Sequence, residues 1–195
     1  ILTMLPFSIR VLGRAIFYFG FIFFTLDLIG DSLEPLRQSP WVLEWLARAQ
    51  EPWLGVLMGV VVTVLLQSSS VVSGLAIVLV QQGVLDPIGA VAIVVGATLG
   101  TTATGLIASI PMDAFAKRAA LMNLLFNAVG VVLMLPFVSA FGEWAVRVGE
   151  TPGQAVAIAN LAFNAGVALL FLPFTGWMGR RFAPKVEPRS TPENA

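Results

Sequence analysis

The 195-residue chain is 57% hydrophobic and 11% charged, and its eleven basic and eleven acidic residues cancel; an ordinary globular chain carries about 25% charged residues. Charges are absent from residues 54–85, 119–142 and 151–179, and uncharged apolar stretches longer than ~18 residues read as membrane-embedded, which excludes a disordered chain, a nucleic-acid binder and a secreted disulfide scaffold. With no cysteine and no histidine, thiolate chemistry, zinc hydrolysis, Ser-His-Asp catalysis and haem binding all lack their usual residues.

The chain begins at Ile1 rather than Met, as expected of a processed protein or a piece of a longer one. The first apolar block has no small-residue cleavage site, so it does not read as a signal peptide. That block, residues 15–30, is rich in phenylalanine, follows Arg10 and Arg14, and carries Asp27 near its far end. Asp27 is read as reaching the interface, with a cation ligand as the sharper alternative. Residues 30–52 form a polar connection, and Trp41, Trp45 and Trp53 suit the membrane surface.

Residues 54–85 pose a length problem. One helix of that length reaches ~48 Å, whereas the hydrocarbon core is ~30 Å thick. Four consecutive polar residues, Gln67-Ser68-Ser69-Ser70, stand in its middle. A break there is expected, giving a re-entrant hairpin or a discontinuous span; non-helical backbone at such depth is tolerated only inside protein or around a cavity.

The next block, 87–110, carries three glycines and four threonines between Gly96 and Gly105. An unwound, functional region is expected, since glycine permits close backbone approach and threonine hydroxyls can bond freed carbonyls or a ligand. The competing explanation is helix packing through the Gly96–Gly100 spacing; for Gly55 and Gly59, packing is the preferred explanation.

The last two blocks contain an internal repeat. Asn123 and Asn127 recur as Asn160 and Asn164, and Leu-Pro-Phe at 135–137 recurs at 172–174, both at an offset of 37 residues. Each asparagine pair shares a helix face, and interhelical hydrogen-bond glue is slightly preferred over ligand contact. Arg180, Arg181, Lys185 and Arg189 argue for a cytoplasmic C-terminus. Arg10, Arg14, Lys117 and Arg118 then fall on the same side, and Arg147 on the other. Residues 1–185 read as one membrane transport domain, and 186–195 as a disordered tail.

Two breaks within one membrane repeat point to a transport site near the midplane. A half-helix beginning in the membrane offers unpaired N–H groups to an oxyanion, and one ending there offers carbonyls that, with hydroxyls, ligate Na⁺. No Lys or Arg lies in 54–110 to neutralise an anion, and co-bound cations are the available remedy, so cation-coupled symport is expected. No acid–base pair for hydrolytic catalysis lies in the embedded region, so an enzyme is not expected.

Gln67-Ser-Ser-Ser followed by Gly96-Ala-Thr-Leu-Gly-Thr-Thr resembles the type II sodium/phosphate cotransporter family. Lys117-Arg-Ala-Ala, Leu-Phe-Asn127 and Phe163-Asn164 extend the resemblance, which runs from about Ile9 to Arg181. It implies an all-α membrane bundle with a re-entrant hairpin and a broken transmembrane helix, forming one inverted-repeat half of a transporter in the bacterial plasma membrane. Gln67, Ser68, Ser69 and Ser70 would bind phosphate and ion at the hairpin tip, and Thr98, Gly100, Thr101 and Thr102 would line the facing helix. Gln67, Ser69 and Thr101 are the Na⁺ candidates; no cofactor beyond the coupling ion is implied.

This chain holds one such polar cluster where the family has two, so a truncated chain, a separate first-repeat half or self-association is implied. Thr98 and Leu99 stand where the family usually has Asn-Ile. The alternatives are a symporter of another oxyanion, a passive channel, and a membrane subunit that does not transport.

Overall fold

The structure is a computed structural model that describes residues 7–32, 35 and 38–182, with side chains inside the range 11–176. The tail at 186–195, Lys185, Arg189 and the side chains of Arg10, Arg180 and Arg181 lie outside the described residues.

Among the described residues the chain is all helical: α1 (Phe7–Ser32), α2 (Pro40–Arg48), α3 (Pro52–Leu66), α4 (Ser69–Gln81), α5 (Pro87–Ser109), α6 (Ala114–Met134), a 3₁₀ turn (Leu135–Phe137), α7 (Val138–Val148) and α8 (Pro152–Phe182). Proline opens α2, α3, α5 and α8, where its missing N–H costs nothing. Asp86 caps α5 by accepting from the N–H groups of Ile88 (2.8 Å) and Gly89 (3.4 Å); Asp113 caps α6 through Ala116 (2.7 Å). Among the described residues, four apolar stretches are long enough to cross a bilayer: Val11–Ser32, Pro87–Ser109, Ala114–Val148 and Pro152–Gly176. This is a multi-pass, all-α membrane architecture.

Glycines fix the direction of the central helices. A methyl group added at Gly55 would strike Ala92, one at Gly59 the backbone of Ile93, one at Gly96 the backbone of Val56, and one at Gly100 the side chain of Thr63. The partners advance together along both helices, so α3 and α5 run parallel in backbone-to-backbone contact. Gly55 and Gly59 are thus packing residues, as expected. Only residues 82–86 join α4 to α5, whose start lies beside the entry to α3, with Gly89 against Ala49. Helix α4 must therefore return antiparallel to α3, and the two form a helical hairpin.

The chain reverses at Gln67, where φ is 56° and the N–H donates to Thr63 O (2.7 Å). Ser68 then caps α4, its Oγ accepting from Val71 N at 3.3 Å. The break expected at the polar cluster is present.

The break expected in the Gly-Thr run is not. Helix α5 continues from Pro87 to Ser109, and the reason lies in both residue types. Gly96 and Gly100 admit α3, while Thr98, Thr101, Thr102 and Thr104 donate their hydroxyl hydrogens to carbonyls of their own helix (Val94, Ala97, Leu99 and Thr101; 2.8–3.4 Å). Composition that suits an unwound segment also suits a close-packed helix, and here packing prevails. From Ala90 to Ala97 this helix is buried on all sides, as befits the centre of a bundle.

Helix α8 runs antiparallel to α4, with Gly153 against Gln81 and Ile77. Helix α6 returns from the far end of α5 and packs Gly130 on Val167, and α7 lays Gly142 on Ile88. The repeated Leu-Pro-Phe behaves differently in its two copies. Around Pro136 it is the 3₁₀ turn that leads into the packed α7, whereas Pro173 stays inside α8, where Leu172 and Phe174 are exposed.

Candidate functional site: a polar cavity at the hairpin tip

At 1.5 Å per residue, Thr98–Thr102 lie ~17–23 Å from the Pro87 end of a helix ~34 Å long. The hairpin tip reaches the same level, because Thr63, one turn before Gln67, packs on Gly100. There a cavity of about 280 Å³ is lined by Ser69, Ser70 and Ser73 of α4, Thr98, Thr101 and Thr102 of α5, Asn127 of α6, and Asn160 and Asn164 of α8. All nine residues are polar and none is charged.

Five of the residues expected to form a site therefore come together: Ser69, Ser70, Thr98, Thr101 and Thr102. Three do not line the cavity. Gln67 is exposed at the reversal, Ser68 is occupied in capping α4, and Gly100 is buried beneath Thr63. As a Na⁺ candidate, Gln67 thus stands outside the cavity that holds Ser69 and Thr101.

The cavity also contains residues that the expected set omitted. Ser73 follows Ser69 by one helical turn, so the i,i+4 spacing was its signal. Asn127, Asn160 and Asn164 belong to the repeat, for which glue between helices is slightly preferred over ligand contact. Their hydrogen bonds instead stay within each helix. Asn127 Nδ2 donates to Asn123 O (2.9 Å) and Oδ1 (3.2 Å). Asn164 Nδ2 donates to Asn160 O (2.8 Å) and Oδ1 (2.9 Å).

Helix α4 adds backbone polarity. Its first N–H groups, at Ser69 and Ser70, have no intrahelical acceptor, because a helix leaves its leading donors unpaired. They face the level of the cavity with the positive end of the helix dipole. Such a start, flanked by serine hydroxyls, can hold an oxyanion without a charged side chain. No group of three or more His, Cys, Asp or Glu suited to a metal occurs among the described residues.

The sequence profile of the Na⁺/Pi-cotransporter family matches residues 39–151, more than half of the chain and all of the helical hairpin. The chain belongs to that family. It is 31% identical over 152 residues to the Bacillus subtilis protein YqeW, covering 77% of this chain and 50% of that one. It is 30% identical over 133 residues to YjbB of Escherichia coli, named a putative inorganic phosphate export protein, with 68% of this chain and 24% of the relative covered. Sodium-dependent phosphate transport protein 2C of the mouse is 36% identical over 121 residues, covering 59% and 20%. The chain thus spans half the length of the B. subtilis relative and a quarter or less of the other two. No solved structure matches it. Within the family, the profile match ends before Asn160 and Asn164, so two of the nine lining residues lie beyond it.

Proposed function

We propose that this chain is one repeat of a sodium-coupled symporter of inorganic phosphate. The α3–α4 hairpin re-enters the bilayer, and the cavity at its tip holds substrate near the midplane. Phosphate sits at the start of α4, on the N–H groups and hydroxyls of Ser69 and Ser70. Sodium offsets the charge that no side chain neutralises. A second repeat, from a separate chain or from another copy of this one, closes the open side of the cavity. The membrane is the bacterial plasma membrane, with the C-terminus cytoplasmic.

The observation that carries this reading is the convergence of nine uncharged polar residues from four helices in one mid-height cavity. Ser70, Thr101 and Asn164 are exposed on the open side of this cavity, and polar groups left facing hydrocarbon at such a depth would be costly, so the cluster is of no use to a bundle held only by packing. Names within the family support phosphate as the cargo, sodium dependence in the mouse relative and export in the E. coli one. Direction of flux is set by the gradients that the assembled protein couples.

Reconstitution into proteoliposomes tests the reading. Labelled phosphate should accumulate only under an inward sodium gradient, and Ser69→Ala should abolish it. Sodium-independent equilibration would indicate a channel instead. A folded, inserted protein that accumulates nothing alone but does so with a complementary repeat would establish the half-transporter form.

A further inference from the structure

Helix α2 meets α3 at a bend of 117°, a little past a right angle. Because α3 runs parallel to α5, which is long enough to span a bilayer, α2 lies close to the membrane plane. The elbow between α2 and α3 is stiff. Ala49, Gln50 and Glu51 each donate a backbone N–H three residues back, to Leu46, Ala47 and Arg48 (3.0–3.3 Å). Ala49 is fully buried, held against Gly55 of α3 and Gly89 of α5. Both glycines stand in the first turn of their helices, so α2 lies at the Pro87 end of the bundle.

No residue of α2 is buried, yet its faces differ. At about 100° per residue, Glu44 and Arg48 form one edge, Trp41 and Trp45 the next, and Val42, Leu46 and Ala49 the one after, where Leu46 packs on the core. The helix thus grades from charged through aromatic to apolar. Trp41 is 68% exposed and Trp45 41%, with their rings 6.0 Å apart. The Arg48 guanidinium pairs with Glu44 at 2.6 Å and stands 5.4 Å from the Trp45 ring. Trp53, at the start of α3, is also exposed, and Leu57, Val61 and Leu65 continue from it as an exposed apolar stripe toward the hairpin tip. Trp144 belongs to the same end, two residues after Gly142, which packs on Ile88 at the start of α5. All four tryptophans with described side chains therefore gather at one end of the bundle.

We propose that α2 is an in-plane anchor seated in the lipid headgroup layer, with Trp41 and Trp45 at its boundary with the hydrocarbon. A carboxylate paired with a guanidinium complements a layer that carries both ammonium and phosphate groups, and indole rings favour that depth. Trp53 makes this surface continuous with the apolar flank of α3, which points to lipid as the occupant. Through the elbow at 49–51, the depth of α2 sets the depth of α3 and of the hairpin tip. That consequence rests on the re-entrant reading above, whereas the anchor itself does not.

The chain has no cysteine, so single nitroxide labels can report depth in the full chain, inserted in vesicles of phosphatidylethanolamine and phosphatidylglycerol. Accessibility to oxygen, which concentrates in hydrocarbon, is compared with accessibility to a water-soluble nickel chelate. Labels at Trp41→Cys and Arg48→Cys each leave Trp45 in place. They should sit ~5–10 Å into the boundary of headgroups and acyl chains and within about 5 Å of each other in depth, whereas an upright helix would separate them by ~10 Å. Adding Trp41→Ala and Trp45→Ala to the Arg48→Cys protein should raise its nickel accessibility toward that of free label; if that protein does not insert, Trp45→Ala alone carries the comparison. A separation near ~10 Å, labels as open to nickel as free label, or labels shielded from both reagents, as beneath a second copy or a second repeat, overturns the anchor. An Arg48→Cys label undisturbed by the alanine variants overturns the role of the tryptophans. A third label at Leu65→Cys, near the hairpin tip, separates the two readings: a shallow position there, with the α2 labels as expected, counts against re-entry and not against the anchor.

Discussion

Gly96 lies directly against the backbone of Val56, so close that a methyl group built on it would overlap the Val56 carbonyl. Gly59 stands in the same relation to Ile93. Neither neighbour is the flexible end of a side chain, so accommodation requires the two helices to separate. Overpacking of this kind costs about 1–3 kcal/mol. Gly96→Ala and Gly59→Ala should each lower the thermal midpoint in detergent by that amount or more, whereas Gly105→Ala, with open space at its Cβ position, should not.

Gln67 turns the hairpin with φ at 56°, in a region that costs a side-chain-bearing residue about 1–2 kcal/mol. Glycine is the usual occupant of such a helix end. Gln67→Gly should therefore match or exceed the wild type in stability, and a β-branched Gln67→Ile should fall below it. Comparing unfolding midpoints of the two variants checks this, and loss of stability in Gln67→Gly would mean that the amide side chain itself holds the turn.

The serines of the cluster have separable duties. Ser68→Ala removes the cap of α4 and should cost about 1 kcal/mol of stability. Ser69→Ala removes a hydroxyl with no described protein partner, so it should leave the melting temperature nearly unchanged while phosphate binding is lost. Paired melting and binding measurements on the two variants distinguish these outcomes.

Thr63 is 0% exposed, and its hydroxyl has no hydrogen-bond partner among the described residues. A buried unpaired polar group costs about 1–3 kcal/mol. Thr63→Val keeps the shape that packs on Gly100 and removes the hydroxyl, so it should stabilise the protein by about 1 kcal/mol or more. A lower unfolding midpoint in this variant would show that the hydroxyl is satisfied in the folded protein.

How far the fold was legible depends on which signal each segment carries. The break between α3 and α4 was legible because a charge-free stretch too long for one span held Gln67-Ser68-Ser69-Ser70 at its centre; that it is a hairpin rather than a discontinuous span was not. The continuity of α5 was not, because glycine and threonine serve a broken helix and a close-packed one equally. Which applies depends on α3, a partner whose register the residues of α5 do not specify. The asparagine repeat announced two equivalent helix faces, but that Asn127, Asn160 and Asn164 share one cavity is a product of how α6 and α8 pack around α4 and α5. Gln67, expected at the site with Ser69, is exposed at the reversal and is not among the residues that line the cavity.

Under the proposed function, the glycine contacts between α3 and α5 also bear on how the cavity could open to one side of the membrane and then the other. Two helices joined backbone to backbone have no side-chain layer in which to slide or tilt. They must travel as one stiff beam that carries the hairpin tip together with Thr98, Thr101 and Thr102 of α5. If the cavity serves transport as proposed, the spacing between Val60 and Gly100 should stay the same whichever side it opens to, and the moving seam must run elsewhere.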